Sequence, residues 1–194
     1  MNVRIAKTAG FCYGVSRAVD LVEAAIAGGK QTFTLGPIAH NRHLVRHFEA
    51  LGVRVAASPE ELPLGCTVVI RSHGVPKATC EALRAAEVEV VDATCPSVKR
   101  IHKLVAAADA QGRQPIIIGT HSHPEVVAIA GWCAHPLIFS DADELQNWLD
   151  SDPEHRKIPV TMVSQTTSTQ ILWESCKKIA KKVCTNCEIF DTIC

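Results

Sequence analysis

The sequence predicts an α/β fold made of small lobes with parallel sheets, and three features of its 194 residues support this. Short apolar runs, typical of buried strands, alternate with longer stretches in which apolar residues recur at helical spacing. Glycines follow the helical stretches, where a helix commonly ends. Polar and reactive residues follow the apolar runs, and open α/β sheets bind their ligands at the carboxyl ends of strands.

The apolar runs are each short enough to be one buried strand. They span residues 3–7, 31–35, 67–71, 87–91, 115–119, 136–140, 158–163 and 188–193. The pattern divides near residues 94–96, with about four strands in each half. The segments VVIRSHGVP (68–76) and PIIIGTHSHPE (115–125) share an order of strand, polar residues, histidine and proline, as a distant duplication would leave.

Two of the predicted helices are well defined by a stripe of apolar residues on one face. In the helix of residues 14–27 the stripe consists of Val15, Ala18, Val19, Val22 and Ile26. In the helix of residues 97–111 it consists of Val98, Ile101, Leu104, Val105 and Ala108. Both helices begin just after a cysteine, Cys12 or Cys95. Each thiol is therefore expected at a positive helix N-terminus, which favours the thiolate.

Charge and hydropathy exclude several classes of function. The 20 basic and 20 acidic residues cancel, so the chain lacks the positive field that nucleic-acid binding usually needs. The opening MNVRIAKTAG has no apolar signal segment, and no apolar run is long enough to span a membrane. We therefore expect a cytoplasmic protein without nucleic-acid or membrane partners, whose nine cysteines are reduced rather than paired in disulfides.

Three widely separated cysteines have similar surroundings. They lie in the motifs GFC at 10–12, DATCP at 92–96 and DTIC at 191–194. Each motif follows a short apolar run, so the three thiols are expected at strand ends that could meet. Three thiols gathered in this way favour an iron–sulfur cluster. Any one of them considered alone would be read as a buried structural cysteine.

Other polar motifs occupy the same kind of position. They are GPIAHN at 36–41, RSHG at 71–74, THSHPE at 120–125 and SQTTS at 164–168. Together with the cysteine motifs they predict one composite pocket, because parallel strands present their carboxyl ends at one edge of a sheet.

The order and spacing of GFCxGV, HN, SHGV, DATCP, HPE and QTT resemble the family of 4-hydroxy-3-methylbut-2-enyl diphosphate reductases. These enzymes complete the non-mevalonate isoprenoid pathway, and the resemblance extends over residues 1–194. It implies a trefoil of three α/β lobes around a 4Fe-4S cluster. It also implies a reaction that adds two electrons and two protons to the allylic diphosphate, giving isopentenyl and dimethylallyl diphosphates. The resemblance implies that the electrons come from a ferredoxin or flavodoxin, and no GxGxxG motif indicates a nicotinamide site.

The resemblance also assigns the site residues. It implies that the cluster is held by Cys12, Cys95 and Cys194, with one iron open to the substrate hydroxyl. It implies that three histidines contact the diphosphate or the hydroxyl end of the substrate: His40, His73 and His123. Without the resemblance, each histidine would be read as a turn residue.

The resemblance implies that two further residues take part in proton transfer to the substrate. Glu125 would normally favour the positive end of a helix, but the resemblance makes it the proton source for the departing hydroxyl group. Thr166 would hydrogen-bond the substrate and help to relay that proton. The next two residues, Thr167 and Ser168, are expected to cap a helix.

The resemblance departs at the end of the sequence, because family members continue beyond the third cysteine through a Ser-x-Asn segment that holds the diphosphate. We therefore expect two complete lobes, at residues 13–95 and 96–186, with residues 1–12 and 187–194 belonging to an incomplete third lobe. We also expect this chain by itself to be a poor catalyst.

Two alternative functions remain open at this point. The chain could be a non-catalytic remnant that binds an iron–sulfur cluster but no substrate. It could instead be a cytosolic thiol or zinc protein that uses Cys184, Cys187 and Cys194. Apart from this alternative, the cysteines that match no family motif are expected to be structural: Cys66, Cys80, Cys133, Cys176, Cys184 and Cys187.

Overall fold

A computed structural model describes residues 3, 4, 6 and 9–194. The chain divides into two compact units. The first consists of the residues up to Ser72 together with Leu83–Cys95, and the second of His73–Ala82 together with Pro96–Cys194. Each unit contains one sheet of four parallel strands, so the predicted α/β class with small parallel sheets is confirmed. The predicted lobe limits at residues 12, 95 and 186 stay predictions.

The first unit is built around a sheet with the strand order β2-β1-β3-β4. Its elements are α1 (Tyr13–Ala27), β1 (Thr32–Leu35), α2 (Arg42–Ala50), β2 (Arg54–Ala56), a 3₁₀ turn (Pro59–Glu61), β3 (Thr67–Ile70) and β4 (Glu89–Asp92). Helix α3 (Lys77–Ala85) lies across the division between the units. All residues of β1 and β3 are buried, as their central places in the sheet require. One face of the sheet packs against Val22 and Phe48 of the helices.

The second unit is built around a sheet with the strand order β6-β5-β7-β8. Its elements are α4 (Pro96–Ala110), β5 (Gln114–Ile118), α5 (Pro124–Ala130), β6 (Leu137–Phe139), α6 (Ala142–Ser151), a 3₁₀ turn (Pro153–Arg156), β7 (Val160–Ser164), α7 (Gln170–Val183) and β8 (Cys187–Ile189). Both faces of the sheet are covered. Ile116 packs in a cluster with Trp173, whereas its neighbour Ile117 packs in another cluster with Ile101. This alternation follows from the period of two along a strand.

The structure confirms most of the predicted elements and corrects others. The helices begin immediately after Cys12 and Cys95 as expected. Strand β2 was missed because only Ala56 of its three residues is buried, so no apolar run marks it. Of the strand predicted at residues 3–7, residues 5 and 7 lie outside the described residues, and residues 3, 4 and 6 carry no regular secondary structure.

The expected helix cap at Thr167 and Ser168 is wrong. The cap of α7 is Thr169, whose Oγ1 accepts a hydrogen bond from the backbone N–H of Leu172 at 3.3 Å. Thr167 instead accepts a hydrogen bond from the side chain of Gln165 at 2.8 Å. Several adjacent hydroxyl residues could each have served as the cap, and the sequence does not select among them.

The regular strand β8 ends at Ile189, although a strand was predicted to continue to residue 193. The following residues are held by side-chain contacts together with single backbone hydrogen bonds, such as that from the Phe190 N–H to the Met162 carbonyl at 3.0 Å. The buried Thr192 Oγ1 accepts a hydrogen bond from the Ser164 backbone N–H at 2.8 Å and donates one to the Ser164 carbonyl at 2.7 Å. Asp191 accepts hydrogen bonds from the Trp173 indole and from Lys177. These contacts attach the terminal residues to the end of β7 and to α7.

None of the helices in the described part of the chain combines the length and the apolar character needed to cross a membrane.

The Thr192 contacts predict the effect of a substitution of similar shape. Thr192→Val should lower the free energy of unfolding by about 1–3 kcal/mol, because the Ser164 N–H would lose its partner in a buried place. Urea unfolding would measure the change. The matched control is Thr185→Val, which removes an exposed hydroxyl bonded to the Arg156 carbonyl and should change stability by less than about 0.5 kcal/mol. Equal stabilities of the Thr192 variant and the parent would contradict this account of the terminal segment.

Candidate functional site

The second unit brings together a buried carboxyl group and a threonine at the carboxyl ends of its strands. Glu125 lies in the first turn of α5, and only 2% of its surface is exposed. The Thr166 backbone N–H donates to Glu125 Oε1 at 2.6 Å, and the Thr166 hydroxyl donates to Oε2 at 2.7 Å. Both carboxyl oxygens are therefore held by one residue, and the structure brings these two predicted site residues into direct contact.

Burial dominates the acid–base properties of Glu125. Removal of water raises the pKa of this carboxyl group above its ordinary value, because the charged form loses more solvation than the neutral one. The backbone and side-chain hydrogen bonds from Thr166 act in the opposite direction and offset only part of the rise. The group consequently keeps its proton to a higher pH than an exposed glutamate does.

His123 caps the helix that carries Glu125. Its Nδ1 accepts a hydrogen bond from the Glu125 backbone N–H at 3.1 Å, so in the neutral ring the proton lies on Nε2. The ring of His73 meets that of His123 edge to face, with centroids 5.6 Å apart. Two of the three predicted histidines therefore lie side by side in this unit.

The segment that carries His73 is fixed by the loop after α5. The Trp132 indole N–H donates to the Val75 carbonyl at 3.0 Å, and the Lys77 N–H donates to the Gly131 carbonyl at 3.2 Å. Pro76 packs so closely on Gly131 that an added Cβ would lie 2.4 Å from the proline ring. These contacts explain the glycine and tryptophan at positions to which sequence analysis gave no role.

Cys194 is attached directly to the threonine of the acid pair. Its backbone N–H donates to the Thr166 carbonyl at 2.8 Å, and its side chain is exposed. Within the second unit, the predicted residues Glu125, Thr166 and Cys194 thus form one hydrogen-bonded group.

The first unit places two predicted cluster ligands at the start of α1. Cys12 precedes the helix as its N-cap residue and is exposed. Cys95 Sγ lies against Gly14 in the first turn, where an added Cβ would be only 2.8 Å from the sulfur. The Cys95 backbone N–H donates to the Ser72 carbonyl at 2.9 Å, and neither thiol is in a disulfide. Reduced thiols at a helix N-terminus suit a soft metal centre, because the positive helix end stabilises thiolates.

Sequence analysis missed a residue that holds the Cys95 loop. Arg17, on α1, donates to the carbonyls of Thr94 at 3.4 Å and Asp92 at 3.2 Å. The Thr94 N–H in turn donates to Asp92 Oδ1 at 2.9 Å, which closes the turn before the cysteine. Helical spacing could show only that Arg17 lies near Cys12, since its partners are more than 70 positions away.

Arg71 is a second residue that sequence analysis left without a role. It follows β3, and its Nε atom is buried without a hydrogen-bond partner. Its guanidinium lies over Gly36, which follows β1, has a φ of +72° and would bring an added Cβ to 2.6 Å from Nη1. Among the described residues, none forms an ion pair with Arg71. A cation of this kind is suited to an anionic ligand.

His40, the third predicted histidine, lies in the same first unit as Arg71, in the loop between β1 and α2. Its side chain is exposed, and the next residue, Asn41, caps α2 by accepting hydrogen bonds from His43 and Leu44. His40 and the arginine side chains of α2 line a surface cavity of about 410 Å³.

The arrangement of Cys184, Cys187 and Cys194 does not fit the alternative of a zinc site formed by these three cysteines. Cys184 follows α7 and Cys187 opens β8, whereas Cys194 lies beyond the other end of that strand. Among the described residues, these three sulfur atoms do not form a group of ligand atoms close enough for one ion.

Comparison with known proteins gives consistent results. The profile of the family described as LytB protein matches residues 3–194. A 4-hydroxy-3-methylbut-2-enyl diphosphate reductase of Oleidesulfovibrio alaskensis is 37% identical over the whole chain, which spans 69% of that protein. The enzyme of the same name from Caldanaerobacter subterraneus is 36% identical, again over the whole chain and over 67% of the relative.

Solved structures show the same similarity. A structure of (E)-4-hydroxy-3-methyl-but-2-enyl diphosphate reductase, the terminal enzyme of the non-mevalonate pathway, matches 99% of this chain and 68% of its own. The TM-score is 0.84 and the sequence identity 33%. The corresponding reductase from Plasmodium falciparum shares the fold, with a TM-score of 0.88 at 23% identity over 97% of this chain and 59% of its own.

The raised pKa of Glu125 predicts how stability depends on pH. Below the ordinary value of 4.5 both the folded and the unfolded chain hold this proton. As pH rises, the unfolded chain ionises first, so the free energy of unfolding falls until pH passes the raised pKa of the folded state. The loss is about 1.4 kcal/mol for each unit by which the pKa is raised.

Glu125→Gln removes this contribution. In this variant the Oε1 atom of the glutamine can accept a hydrogen bond from the Thr166 N–H, and its Nε2 atom can donate one to the Thr166 hydroxyl. The stability of the variant relative to the parent should therefore increase from pH 4.5 upward, as measured by urea unfolding at a series of pH values. A constant difference across that range would show that Glu125 titrates like an exposed glutamate.

Proposed function

Because the chain belongs to the LytB protein family, we propose that it acts as a reductase that converts 4-hydroxy-3-methylbut-2-enyl diphosphate to isopentenyl and dimethylallyl diphosphates. The observation that carries this proposal is the buried Glu125 carboxyl group held by Thr166. The reaction removes a hydroxyl group as water, so it needs an acid that holds a proton near neutral pH. Burial raises the pKa of Glu125 and so favours the protonated form that such an acid needs.

Thr166 suits both stages of a proton transfer. When Glu125 is protonated, the Thr166 hydroxyl can rotate to accept that proton's hydrogen bond and direct its own hydrogen toward the substrate. After the transfer, the hydroxyl and the backbone N–H can both donate to the carboxylate, at the distances of 2.7 and 2.6 Å seen in the structure. Thr166 thereby stabilises the charged product of the step and connects the acid to the substrate.

The three family cysteines, Cys12, Cys95 and Cys194, would hold an iron–sulfur cluster of the 4Fe-4S type. The properties that support this are reduced thiols, the position of Cys12 as the N-cap of α1, and the space that Gly14 in the first turn of α1 leaves beside the Cys95 sulfur. Such a cluster supplies electrons one at a time. A ferredoxin or flavodoxin as the electron source stays a prediction.

Recognition of the diphosphate requires local donors, because the chain has no net charge. His40, His73 and His123 are the donors implied by the family resemblance, and we add Arg71. Its guanidinium has no ion-pair partner among the described residues and can form two parallel hydrogen bonds to phosphate oxygens. The low turnover expected from the sequence analysis stays a prediction.

Substitution of Glu125 tests the proposed reaction. In anaerobic turnover assays Glu125→Gln should keep KM within about a factor of three and lower kcat by about 10²–10⁴-fold, because the amide cannot donate the proton. The matched control is Glu154→Gln, which removes an exposed carboxylate and should leave both constants unchanged. An unchanged kcat in the Glu125 variant would leave this residue only a structural role at the helix end.

Arg71→Gln should change KM rather than kcat, which is the reverse of the effect expected for Glu125→Gln. Loss of a charge-assisted contact of about 1.5–3 kcal/mol would raise KM by about 10–150-fold while kcat changes little. A variant that loses kcat without any change in KM would contradict a role in diphosphate binding.

Substitution of Cys95 tests the cofactor. The protein purified without oxygen should contain iron and sulfide, and Cys95→Ser should lose most of both, since a serine hydroxyl is a poor substitute for thiolate toward iron. Cys133→Ser, which alters a half-buried thiol bonded to the Ala130 carbonyl, should retain them. Loss of iron in the Cys133 variant but not in the Cys95 variant would disprove the ligand assignment.

A further inference from the structure

The pair Cys184 and Cys187 lies at the amino ends of the strands of the second sheet, whereas Glu125 lies beyond their carboxyl ends. Cys184 ends α7, where its N–H donates to the Ala180 carbonyl at 2.9 Å, and Cys187 is the first residue of β8. Glu125 and Thr166 follow the other ends of strands β5 and β7. Because parallel strands begin at one edge and end at the other, the cysteine pair is separate from the proposed active site.

The turn between the two cysteines is firmly attached to the rest of the unit. The Thr185 N–H donates to the Arg156 carbonyl at 2.9 Å, and the Asn186 carbonyl accepts from the Val160 N–H at 2.9 Å. The Asn186 side chain also accepts from Arg113 at 3.1 Å. The side chains of Thr185 and Asn186 are exposed, so the turn can be reached from solvent.

The two thiols face each other across this turn. The two thiols interact with each other, and both side chains are half-buried against the same apolar cluster, which contains Trp173 and Cys176. Both cysteines are reduced in the structure. The turn therefore holds two sulfur atoms next to each other without a covalent bond between them.

The contact makes the two thiols chemically unequal. The hydrogen bond from Cys187 lowers the pKa of Cys184, because it stabilises the Cys184 thiolate. The same contact, together with burial, raises the pKa of Cys187. Elsewhere in the unit, burial raises the pKa of Cys133 to about 12 and that of Cys176 to about 11, which leaves those thiols unreactive.

The charged groups around the pair act in both directions. A helix C-terminus disfavours a thiolate at Cys184, but the last turn of α7 carries Lys181 and Lys182. Beside Cys187, the positive charge of Arg113 is opposed by Glu188, with which it forms a salt bridge at 3.4 Å.

We propose that Cys184 and Cys187 form a thiol–disulfide exchange site whose substrates are low-molecular-weight disulfides such as glutathione disulfide. The Cys184 thiolate attacks one sulfur of the disulfide, which forms a mixed disulfide and releases one glutathione thiolate. Cys187, after losing its proton to solvent, attacks the Cys184 sulfur, and the second glutathione leaves as a thiolate that takes up a proton. The protein dithiol is oxidised to one intrachain disulfide, and one glutathione disulfide is reduced to two glutathione molecules.

The test uses the anaerobically purified protein, treated with glutathione disulfide and then with an alkylating agent. Cleavage after Lys182 and after Glu188 isolates residues 183–188, which contain no cysteine except this pair. Mass spectrometry should show this peptide with two hydrogens fewer and without alkyl groups. A fully alkylated peptide would overturn the proposal.

Two single variants separate the roles of the thiols. Cys187→Ser should accumulate one glutathione on Cys184, since no second thiol can displace it. Cys184→Ser should slow the reaction of residues 183–188 by at least about tenfold, because the remaining thiol has the higher pKa. Cys133→Ser should react at the parent rate. Absence of glutathione from the Cys187 variant, or an unchanged rate in the Cys184 variant, would disprove the assignment.

Discussion

Thr166 connects the reactive groups of the second unit, because all three of its polar groups are bonded to them. Its N–H and its hydroxyl hold the two oxygens of Glu125, and its carbonyl holds the backbone of Cys194. The residue lies just after β7, a central strand whose residues are all buried. The packing of the whole sheet therefore sets the position of Thr166. Through its hydrogen bonds, Thr166 in turn fixes the Glu125 carboxyl group and the Cys194 backbone.

A buried carboxyl group is costly unless its hydrogen-bonding capacity is met. Around Glu125, both oxygens have donors from Thr166, and its own N–H is bonded to His123. These hydrogen bonds offset the cost of burying the acid, and burial lets Glu125 keep its proton to a higher pH than an exposed glutamate. A small-residue contact is part of the same arrangement, since Gly119 lets Gln165 and Val126 approach to distances that a Cβ would block.

The thiols of this chain differ in the environments that the fold gives them. Cys12 caps the start of α1, and the Cys95 sulfur lies beside Gly14 in the first turn of that helix, whose positive end favours thiolates. Cys184 and Cys187 are reduced and lie at the two ends of a tight turn that leads into β8. Cys133 and Cys176 are held in apolar surroundings that suppress ionisation. One residue type thus occupies three kinds of chemical environment.

The sequence by itself determined the α/β class, most strands and the helix starts after Cys12 and Cys95, because these features depend on local periodicity and on residues at element ends. It also singled out Glu125 and Thr166 through their family motifs, and these two residues are in direct contact in the structure. It could not show β2, whose residues are mostly exposed, or the two hydrogen bonds between the Thr192 hydroxyl and the Ser164 backbone.

Tertiary structure alone decided the contacts between residues distant in the chain. Arg17 reaches the Cys95 loop across more than 70 positions, and Thr166 meets Glu125 across 41. The RSHG motif places Arg71 at a strand end, but only the fold shows that its guanidinium packs on Gly36 and that its Nε atom is buried. Burial and partner choice depend on how strands align in a sheet, and that alignment is a property of the folded chain rather than of any short segment.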